Sequence, residues 1–433
     1  MKKVYIALSV DILHHGHINL INEAKKHGKL IIGLLTDKAI SKNKRIPLLT
    51  YNQRKKIIES INGVSEVVPQ YEWDYCNNII KIKPDIMVHG DDWKIGKADQ
   101  ELRSKTIKTL KKINAKLIEI PHTKNISSST MQERIFEQGL IPVSRQMLLK
   151  RLIDVKGFVR IIETHSPLSA IIAEKIFLKP NSGEKLEFDG FWSSSLTDST
   201  LRGKPDIEVL DLNERISNIN SIFDVTTKPM IFDIDTGGKN EHFEINIKSI
   251  DRNGISAVIM EDKKGLKKNS LFGLSVKQEQ EDPKIFAKKI ELGKKNSSNN
   301  LMIIARVESL ILKKPVSDAM KRAEKYLEAG ADGIMIHSKD KSPEKIFKFA
   351  KIFKKEFPNT NLVVVPSSFN QVKENVFKDL GFNIVIYANH LLRASYPAMK
   401  NTALSILKHK RSLETDSSLL SIKEILDLIP GTK

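Results

Sequence analysis

The chain has 433 residues, of which 71 are Lys or Arg and 52 are Asp or Glu, so its formal net charge is +19. Hydrophobic residues make up 40% of it, which excludes a disordered chain, and the length predicts two or three domains of roughly 100–200 residues each. The single cysteine, Cys76, excludes a disulfide framework and a cysteine-based zinc site, and it indicates a reducing compartment, the cytoplasm. No apolar run approaches the about 20 residues of a membrane span, and no long block of like charges favours nucleic-acid binding.

The amino-terminal third alternates short β-branched runs with amphipathic stretches such as His17–Lys26 and Gln53–Ile61. This alternation predicts a doubly wound parallel α/β sheet of the Rossmann-like type. The pattern breaks around Gly139–Val143, which predicts a domain at 1–138, a linker at 139–149 and a second domain at 150–433. The predicted strands of the first domain are Val4–Leu8, Leu30–Leu35, Val67–Val68, Ile86–His89 and Lys116–Ile120.

The second domain repeats an apolar run eight times, and helical segments separate most of the runs. Eight strand–helix units over about 250 residues are typical of a (β/α)8 TIM barrel. The predicted strands are Phe158–Ile162, Phe188–Trp192, Met230–Phe232, Ala257–Met260, Met302–Ala305, Gly333–Ile336, Leu362–Val365 and Ile384–Tyr387.

Each of these runs ends on polar side chains, many of them acids or histidines. Active sites of such barrels lie at the carboxyl ends of the strands, so the pattern favours a functional face over ordinary loop polarity. The residues are Glu163, His165, Ser193, Ser194, Asp233, Asp235, Glu261, Asp262, Arg306, Glu308, His337, Ser338, Ser367, Ser368, Asn389 and His390.

His14, Gly16 and His17 lie at the predicted turn between the first strand and the first helix. Glycine lets the backbone pass close to a ligand, and the first helical turn offers free N–H groups to an anion. Two histidines three apart can hydrogen-bond phosphate oxygens during phosphoryl-type transfer. A second segment with Ser128 and Ser129 offers hydroxyl groups to phosphates before another predicted helix. The simpler alternatives are a surface histidine cluster or a metal site, for which no third ligand has suitable spacing.

Four stretches resemble the cytidylyltransferase family, and most closely the glycerol-3-phosphate cytidylyltransferases, over residues 2–134. They are His14–His17, Lys42–Arg45, Lys83–Trp93 and Ile126–Ser129. The resemblance implies that CTP is a substrate, and it implies the following roles. His14 and His17 stabilise the triphosphate in the transition state, Lys44 assists from a mobile loop, and Ser128 and Ser129 bind phosphates; Ser9 and Asp11, in the family's opening motif, contact the substrate.

The opening motif and two arginine positions depart from that family. Its Gly-Thr-Phe-Asp opening is Leu8-Ser9-Val10-Asp11 here, and two of its arginines are Asn62 and His122. The loss of two arginines argues against glycerol 3-phosphate as the acceptor. The transfer of CMP is less affected, since the two histidines and the serine segment remain.

Three carboxylates, Asp233, Asp235 and Glu261, follow adjacent predicted strands of the barrel. Such hard oxygen ligands suit Mg²⁺, which keeps waters and leaves room for an anionic substrate. Arg306 can clamp a phosphoryl group and His337 can donate to it. The charged, glycine-containing loop after Glu261 is suited to close over a phosphate and exclude water. For each residue alone a surface salt bridge is the simpler interpretation. Because all of these residues are predicted to lie on one face of the barrel, together they favour an active site.

The chain carries an E-D-K-x5-N-S motif at Glu261–Lys263 and Asn269–Ser270. With this motif, residues 150–428 resemble phosphoenolpyruvate mutase, of the isocitrate lyase/PEP mutase superfamily. Carbon–carbon lyases of the superfamily carry a cysteine in this loop, whereas Cys76 lies in the other domain. Ser195 stands where many members have glycine. Further matching stretches are Glu163–His165, Trp192–Leu196, Asp233–Gly237, Ala305–Glu308 and Ala388–Ser395.

The resemblance implies a role for each matched residue of the barrel. Mg²⁺ is held by Asp233, Asp235 and Glu261. The carboxylate end of the substrate is bound by Trp192, Ser194, Ser195 and Leu196, with Asp235 beside it. The phosphoryl group is held by Arg306, His337 and Asn269, while Lys267 belongs to the gating loop and Asp206 lies near the migrating phosphorus.

Together the two resemblances imply a bifunctional phosphonate-biosynthesis enzyme of the fosfomycin-pathway type. Its barrel isomerises phosphoenolpyruvate to 3-phosphonopyruvate, and its first domain transfers CMP from CTP to a small phosphonate such as 2-hydroxyethylphosphonate. Barrels of this superfamily form homodimers or homotetramers. The alternatives are a phosphonopyruvate hydrolase or carbon–carbon lyase, a first domain that uses another acceptor or serves as a non-catalytic scaffold, and a nucleic-acid-binding protein, for which the sequence carries no module.

Overall fold

The computed structural model describes residues 1–94, 97–123, 131, 141–179, 185–265 and 267–429. Two compact units emerge from its contacts. The first comprises residues 1–159 with 175–189, and the second comprises residues 160–174 with 190–433. The domain limits at 138 and 150 stay a prediction. None of the described helices has the length and apolar character that crossing a membrane requires.

The first unit is built on a parallel five-stranded sheet in the order β3-β2-β1-β4-β5, which confirms the predicted doubly wound architecture. Reversal of the strand order at β1 leaves a crevice at the carboxyl ends of β1 and β4, where ligands bind in such sheets. The strands are β1 Lys3–Leu8, β2 Lys29–Leu35, β3 Val64–Gln70, β4 Ile86–Gly90 and β5 Lys116–Ile120.

Helices cover both faces of this sheet, and each face forms its own buried apolar cluster. Ile6 and Ile32 are fully buried on one face, and Tyr5 and Met87 are fully buried on the other. The helices of this unit are α1 His15–Ala24, α2 Asp37–Ser41, α3 Tyr51–Glu59, α4 Cys76–Ile82, α5 Lys97–Lys112 and α6 Pro142–Lys156, and a short hairpin adds β7 Phe177–Leu178 and β8 Leu186–Glu187.

Gly33 on β2 has no room for a side chain, because a Cβ atom there would lie 1.9 Å from Tyr5 Oη. Tyr5 is fully buried and its hydroxyl donates to Gln70 Oε1 at 2.6 Å, so the ring is held in place. We expect Gly33→Ala to lower the free energy of unfolding of this unit by about 1–3 kcal/mol. Urea denaturation checks this, with exposed Lys29→Ala on the same strand as the control; equal stability of Gly33→Ala and wild type would contradict it.

The second unit confirms the predicted barrel. Its parallel strands close in the order β10-β11-β12-β13-β14-β15-β6-β9, and each observed strand lies within two residues of its predicted limits. The strands are β6 Val159–Glu163, β9 Gly190–Ser193, β10 Met230–Asp233, β11 Ala257–Glu261, β12 Met302–Val307, β13 Gly333–Ile336, β14 Asn361–Val364 and β15 Ile384–Tyr387.

Most helices of the barrel bury one apolar stripe against the strands. The exceptions are α15 (His390–His409) and α16 (Ile422–Leu428), neither of which has a buried residue. The helices are α7 Pro167–Lys175, α8 Ser195–Leu201, α9 Leu212–Phe223, α10 Asn240–Arg252, α11 Pro283–Asn296, α12 Val316–Glu328, α13 Glu344–Glu356, α14 Glu374–Asp379, α15 His390–His409 and α16 Ile422–Leu428.

Candidate active sites

The turn between β1 and α1 is backbone-strained and firmly held. Val10 has φ of 43°, a left-handed conformation that a β-branched residue rarely adopts. The fully buried guanidinium of Arg54 donates to the Ser9 carbonyl, and the Asp11 carboxylate accepts from the Leu49 N–H at 3.2 Å. Strain of this kind persists where the surroundings impose it, and it clusters at functional sites.

His14 and His17 meet at the start of α1, with ring centroids 3.9 Å apart. The His14 N–H lies 3.4 Å from His17 Nδ1, whereas the buried Nδ1 of His14 has no hydrogen-bond partner among the described residues. A Cβ atom at Gly16 would lie 3.0 Å from the His14 ring, which explains the glycine between them. The pair therefore offers an unsatisfied imidazole nitrogen beside a helix amino terminus.

This turn opens into a cavity of about 360 Å³. Four predicted site residues line it: Ser9, His14, His17 and Lys44. His122, which stands where the family has an arginine, also lines the cavity. Asp11 is buried beneath the turn and is not part of the lining. The predicted phosphate-binding residues Ser128 and Ser129 lie outside the described residues.

Lys44 lies on a loop that is anchored on both sides. Its ammonium is 5.6 Å from the Trp73 ring centroid. Before it, the Lys42 carbonyl accepts from the Lys185 N–H at 3.0 Å. After it, the guanidinium of Arg151 donates to the carbonyls of Pro47 and Leu48, both at 2.8 Å; these donors hold the loop beside the cavity.

His89 is a cavity residue that the sequence analysis missed. Its ring stacks on Trp93 with centroids 3.7 Å apart and planes 9° apart. Nδ1 lies 2.7 Å from the Gly90 carbonyl and Nε2 lies 3.3 Å from Tyr75 Oη, so a neutral ring donates to the carbonyl and accepts from tyrosine. The stack gives this end of the cavity a rigid aromatic wall.

Burial, with a smaller contribution from the neighbouring His14, lowers the pKa of His17 to about 3. An unfolded histidine titrates near pH 6.5. Below that pH the unfolded state therefore binds a proton, whereas His17 in the folded state stays neutral. We therefore expect the first unit to lose about 1.4 kcal/mol of stability per pH unit from this residue as the pH falls from about 6.5 toward 3. Urea denaturation at several pH values checks this. The slope should be shallower in His17→Gln, and identical slopes would contradict the expectation.

Of the three predicted metal ligands in the barrel, Asp233 is the last residue of β10, Asp235 lies two residues beyond it, and Glu261 is the last residue of β11. Asp235 has φ of 54°, and its N–H donates to Asp233 Oδ1 at 3.2 Å. Asp233 Oδ2 accepts from the Ser195 hydroxyl at 2.9 Å. Glu261 is 1% exposed and neither of its carboxylate oxygens accepts a hydrogen bond from the described residues. Burial raises the pKa of Glu261 to about 7.

The gating-loop residue Lys267 inserts its ammonium among these acids. It contacts Asp235 Oδ1 and the Ser195 hydroxyl, and it lies 2.8 Å from Asp206 Oδ1. Burial would lower the pKa of Lys267, but the surrounding carboxylates outweigh burial and raise it, so the side chain is an ammonium ion. Asn269 donates to the other oxygen of Asp206 at 2.9 Å. The loop after β11 thus converges on Asp206.

Arg306 and His337 form a second buried group. Arg306 Nε donates to Glu308 Oε1 at 2.6 Å, and its Nη2 lies 3.2 Å from Glu261 Oε2. His337 Nδ1 is 2.9 Å from both Arg306 Nη2 and Glu308 Oε1. Ser270 accepts from Arg306 at 2.6 Å and donates to Glu308 at 2.6 Å. Arg306, His337 and the loop that carries Asn269 are therefore linked by hydrogen bonds.

The predicted carboxylate-binding residues lie at the end of β9 and the start of α8. Ser194 is the amino-terminal cap of α8 and is buried, whereas Leu196 is half-buried. Trp192 is buried, and its indole N–H has no partner among the described residues. Arg215 on α9 was missed: it donates to Asp198 at 2.9 Å and to the Asp233 carbonyl at 2.6 Å.

The donor set fits a magnesium ion better than a softer metal. Within the described ranges, no three His, Cys, Asp or Glu side chains form a ready-made metal cluster. Mg²⁺ needs only one or two carboxylates, because it retains waters and substrate oxygens as its other ligands. Glu261 offers such ligands, since its oxygens accept no hydrogen bond from the residues that the structure describes, and Asp233 and Asp235 offer further oxygens from the end of the neighbouring strand.

Comparison with known proteins supports both halves of this description. The family model for phosphoenolpyruvate phosphomutase matches residues 149–407, more than half of the chain, and a cytidylyltransferase-like model matches residues 9–134. A phosphoenolpyruvate phosphomutase of Tetrahymena pyriformis is 32% identical over 282 residues, which cover 65% of this chain and 89% of the relative.

Two further proteins represent the alternatives within each half. A solved phosphonopyruvate hydrolase, in complex with oxalate and Mg²⁺, matches with a TM-score of 0.57 and 30% identity, covering 66% of this chain and 94% of that one. The glycerol-3-phosphate cytidylyltransferase of Bacillus subtilis is 34% identical over 137 residues, which cover 31% of this chain and 98% of the relative. The chain therefore belongs to the phosphoenolpyruvate phosphomutase family and carries a cytidylyltransferase-like domain before the barrel.

Proposed function

We propose that the barrel isomerises phosphoenolpyruvate to 3-phosphonopyruvate, and that the amino-terminal domain transfers CMP from CTP to a small phosphonate with release of pyrophosphate. The observation that carries the barrel assignment is the convergence of Lys267 and Asn269 on Asp206. In the reaction the P–O bond of phosphoenolpyruvate breaks and a bond from phosphorus to C3 forms. No water takes part, so the site must exclude it.

The barrel residues divide the work between the two ends of the substrate. Arg306 and His337 hold the phosphoryl group, with Asn269 from the loop, while Asp206 lies beside the phosphorus as nucleophile or electrostatic support. Ser194 and the backbone of Ser195 and Leu196 hold the carboxylate against Trp192. Lys267 and its loop close the site to water. Asp233, Asp235 and Glu261 would hold Mg²⁺, which would supply positive charge to the anionic substrate.

The test is to incubate the protein with 3-phosphonopyruvate and Mg²⁺ and to identify the products by ³¹P NMR. Phosphoenolpyruvate is the expected product. Pyruvate with inorganic phosphate would instead support a phosphonopyruvate hydrolase, the second candidate, which the solved hydrolase at 30% identity favours. A carbon–carbon lyase is disfavoured, because the barrel has no cysteine for the lyase loop. Absence of any turnover would contradict the barrel assignment.

The amino-terminal domain has the parts for nucleotidyl transfer in one cavity. His14, whose Nδ1 has no hydrogen-bond partner within the described part of the chain, lines the space in which a triphosphate would bind, together with His17 and the anchored Lys44. The acceptor oxygen forms a bond to the α-phosphorus of CTP, and the bond to pyrophosphate breaks. His122 replaces an arginine at this cavity, which supports an acceptor other than glycerol 3-phosphate.

Pyrophosphate release from CTP, measured across a panel of acceptors, tests this assignment. We expect turnover with 2-hydroxyethylphosphonate or 2-aminoethylphosphonate and little with glycerol 3-phosphate. His14→Ala gives the background rate, since it removes the unpaired nitrogen. Strong preference for glycerol 3-phosphate would overturn the acceptor assignment, and no turnover with any acceptor would favour a non-catalytic scaffold.

We further propose that the protein assembles as a homodimer or homotetramer through the barrel. Helix α15 supports this, because Tyr396, Met399 and Leu407 are 62–74% exposed on a helix that buries none of its residues. Exposed apolar surface of this kind marks an interaction site. Sedimentation should give two or four times the 49.0 kDa chain mass, and Leu407→Asp should shift it toward the monomer. A monomeric wild type would contradict this proposal.

A further inference from the structure

The Ser195 side chain connects the gating loop to the metal-site carboxylates. Its hydroxyl accepts a hydrogen bond from the Lys267 ammonium and donates to Asp233 Oδ2 at 2.9 Å. Ser195 and Lys267 are each 4% exposed, so water has little access to this contact. The Ser195 hydroxyl thus contacts both the loop lysine and Asp233.

Lys267 also occupies the position of a counter-ion. Its ammonium contacts Asp235 Oδ1 and lies 2.8 Å from Asp206 Oδ1. Asp235 is one of the three carboxylates assigned to Mg²⁺, so a divalent ion bound there would lie close to the buried Lys267 ammonium, and the two cations would repel each other. Buried carboxylates need a cation or hydrogen bonds, and Lys267 supplies both.

We propose that Ser195 is a positioning residue that anchors Lys267 as the resident counter-ion of the carboxylate cluster, so that Mg²⁺ binds only by displacing this lysine. The inference rests on the proposed Mg²⁺ site of the barrel. Metal binding then releases Lys267 from Asp235 while its contact with Asp206 can persist. The two events, metal entry and movement of the loop, are coupled through the Ser195 hydroxyl.

The experiment is a double-mutant cycle on the full chain, with Mg²⁺ affinity measured by isothermal titration calorimetry without substrate. The variants are Ser195→Ala, Lys267→Met and the double variant. We expect Lys267→Met to bind Mg²⁺ about tenfold more tightly, because the competing cation is gone, and Ser195→Ala about threefold to tenfold more tightly, because one hydrogen bond to the ammonium is lost. In the Lys267→Met background, Ser195→Ala should add nothing.

A matched control is Ser199→Ala on the same helix, since Ser199 is equally buried at 4% and none of the described hydrogen bonds joins it to the cluster. It should leave the Mg²⁺ affinity unchanged. A role limited to orienting Asp233 would make Ser195→Ala weaken binding, and by the same factor in both backgrounds; either result overturns the inference.

Two outcomes separate this inference from the proposed function. If wild type binds Mg²⁺ and converts 3-phosphonopyruvate but the cycle shows no coupling, only the inference is wrong. If wild type binds no Mg²⁺, the metal site and the inference fail together. Circular dichroism melts verify folding of each variant, and Ser195→Gly serves in the same cycle if Ser195→Ala does not fold.

Discussion

Replacement of Arg306 by methionine should both lower the barrel's activity strongly and destabilise its fold. The guanidinium is the partner of two buried carboxylates, Glu308 at 2.6 Å and Glu261 at 3.2 Å. Removing one member of a buried ionic group leaves uncompensated charge, which costs about 3–5 kcal/mol of stability. Loss of a preorganised cation at the phosphoryl group lowers kcat by about 10²–10³-fold.

Chemical denaturation and turnover of 3-phosphonopyruvate measure the two effects of Arg306→Met. Arg202→Met is the matched control, because Arg202 pairs with Glu214 at 2.5 Å near the surface and such pairs contribute about 1 kcal/mol or less. Retention of wild-type stability by Arg306→Met would contradict the buried network described for Glu261 and Glu308.

Substitution of Asp206 by asparagine should remove activity without a comparable loss of stability. Lys267 keeps its contacts with Asp235 and Ser195 after the change, so the buried ammonium is still paired. The asparagine amide, however, cannot accept from Lys267 and Asn269 as a carboxylate does, and it brings no negative charge to the phosphorus. We expect kcat to fall by about 10²–10³-fold.

Arg306→Met should lose both stability and activity, whereas Asp206→Asn should lose activity alone. Turnover of 3-phosphonopyruvate is measured beside a thermal melt, with exposed Asp224→Asn as the control. Unchanged turnover in Asp206→Asn would remove Asp206 from the proposed site, and a large drop in melting temperature would show that its role is structural.

The strands and the rim of the barrel were predictable because of how parallel sheets are buried. Strands covered on both faces appear in the sequence as continuous apolar runs, such as Met302–Ala305, and the first polar residue marks the carboxyl end. Ile303 and Ile304 are fully buried, and Arg306 follows them toward the rim. The same logic located the turn at His14, where a buried strand meets an amphipathic helix.

The contacts that orient these side chains were not predictable in the same way. Arg215 appears in the sequence as an ordinary charge on an amphipathic helix, yet its guanidinium reaches Asp198 and the Asp233 carbonyl. Ser270 belongs to a recognised sequence signature, but its bridge between Arg306 and Glu308 joins residues 36 and 38 positions away. Such pairings depend on three-dimensional proximity that neither periodicity nor composition encodes.

The anchored loop around Lys44 bears on whether the cytidylyltransferase-like domain can be separated from the rest of the chain. Its donors, Arg151 and Lys185, lie beyond residue 134, where the cytidylyltransferase-like match ends. A chain truncated at residue 138 would therefore retain the histidines and Lys44 but leave the carbonyls of Lys42, Pro47 and Leu48 without these donors. Segments beyond the cytidylyltransferase-like match are thus part of the first unit's architecture, and a transplanted first unit must include them.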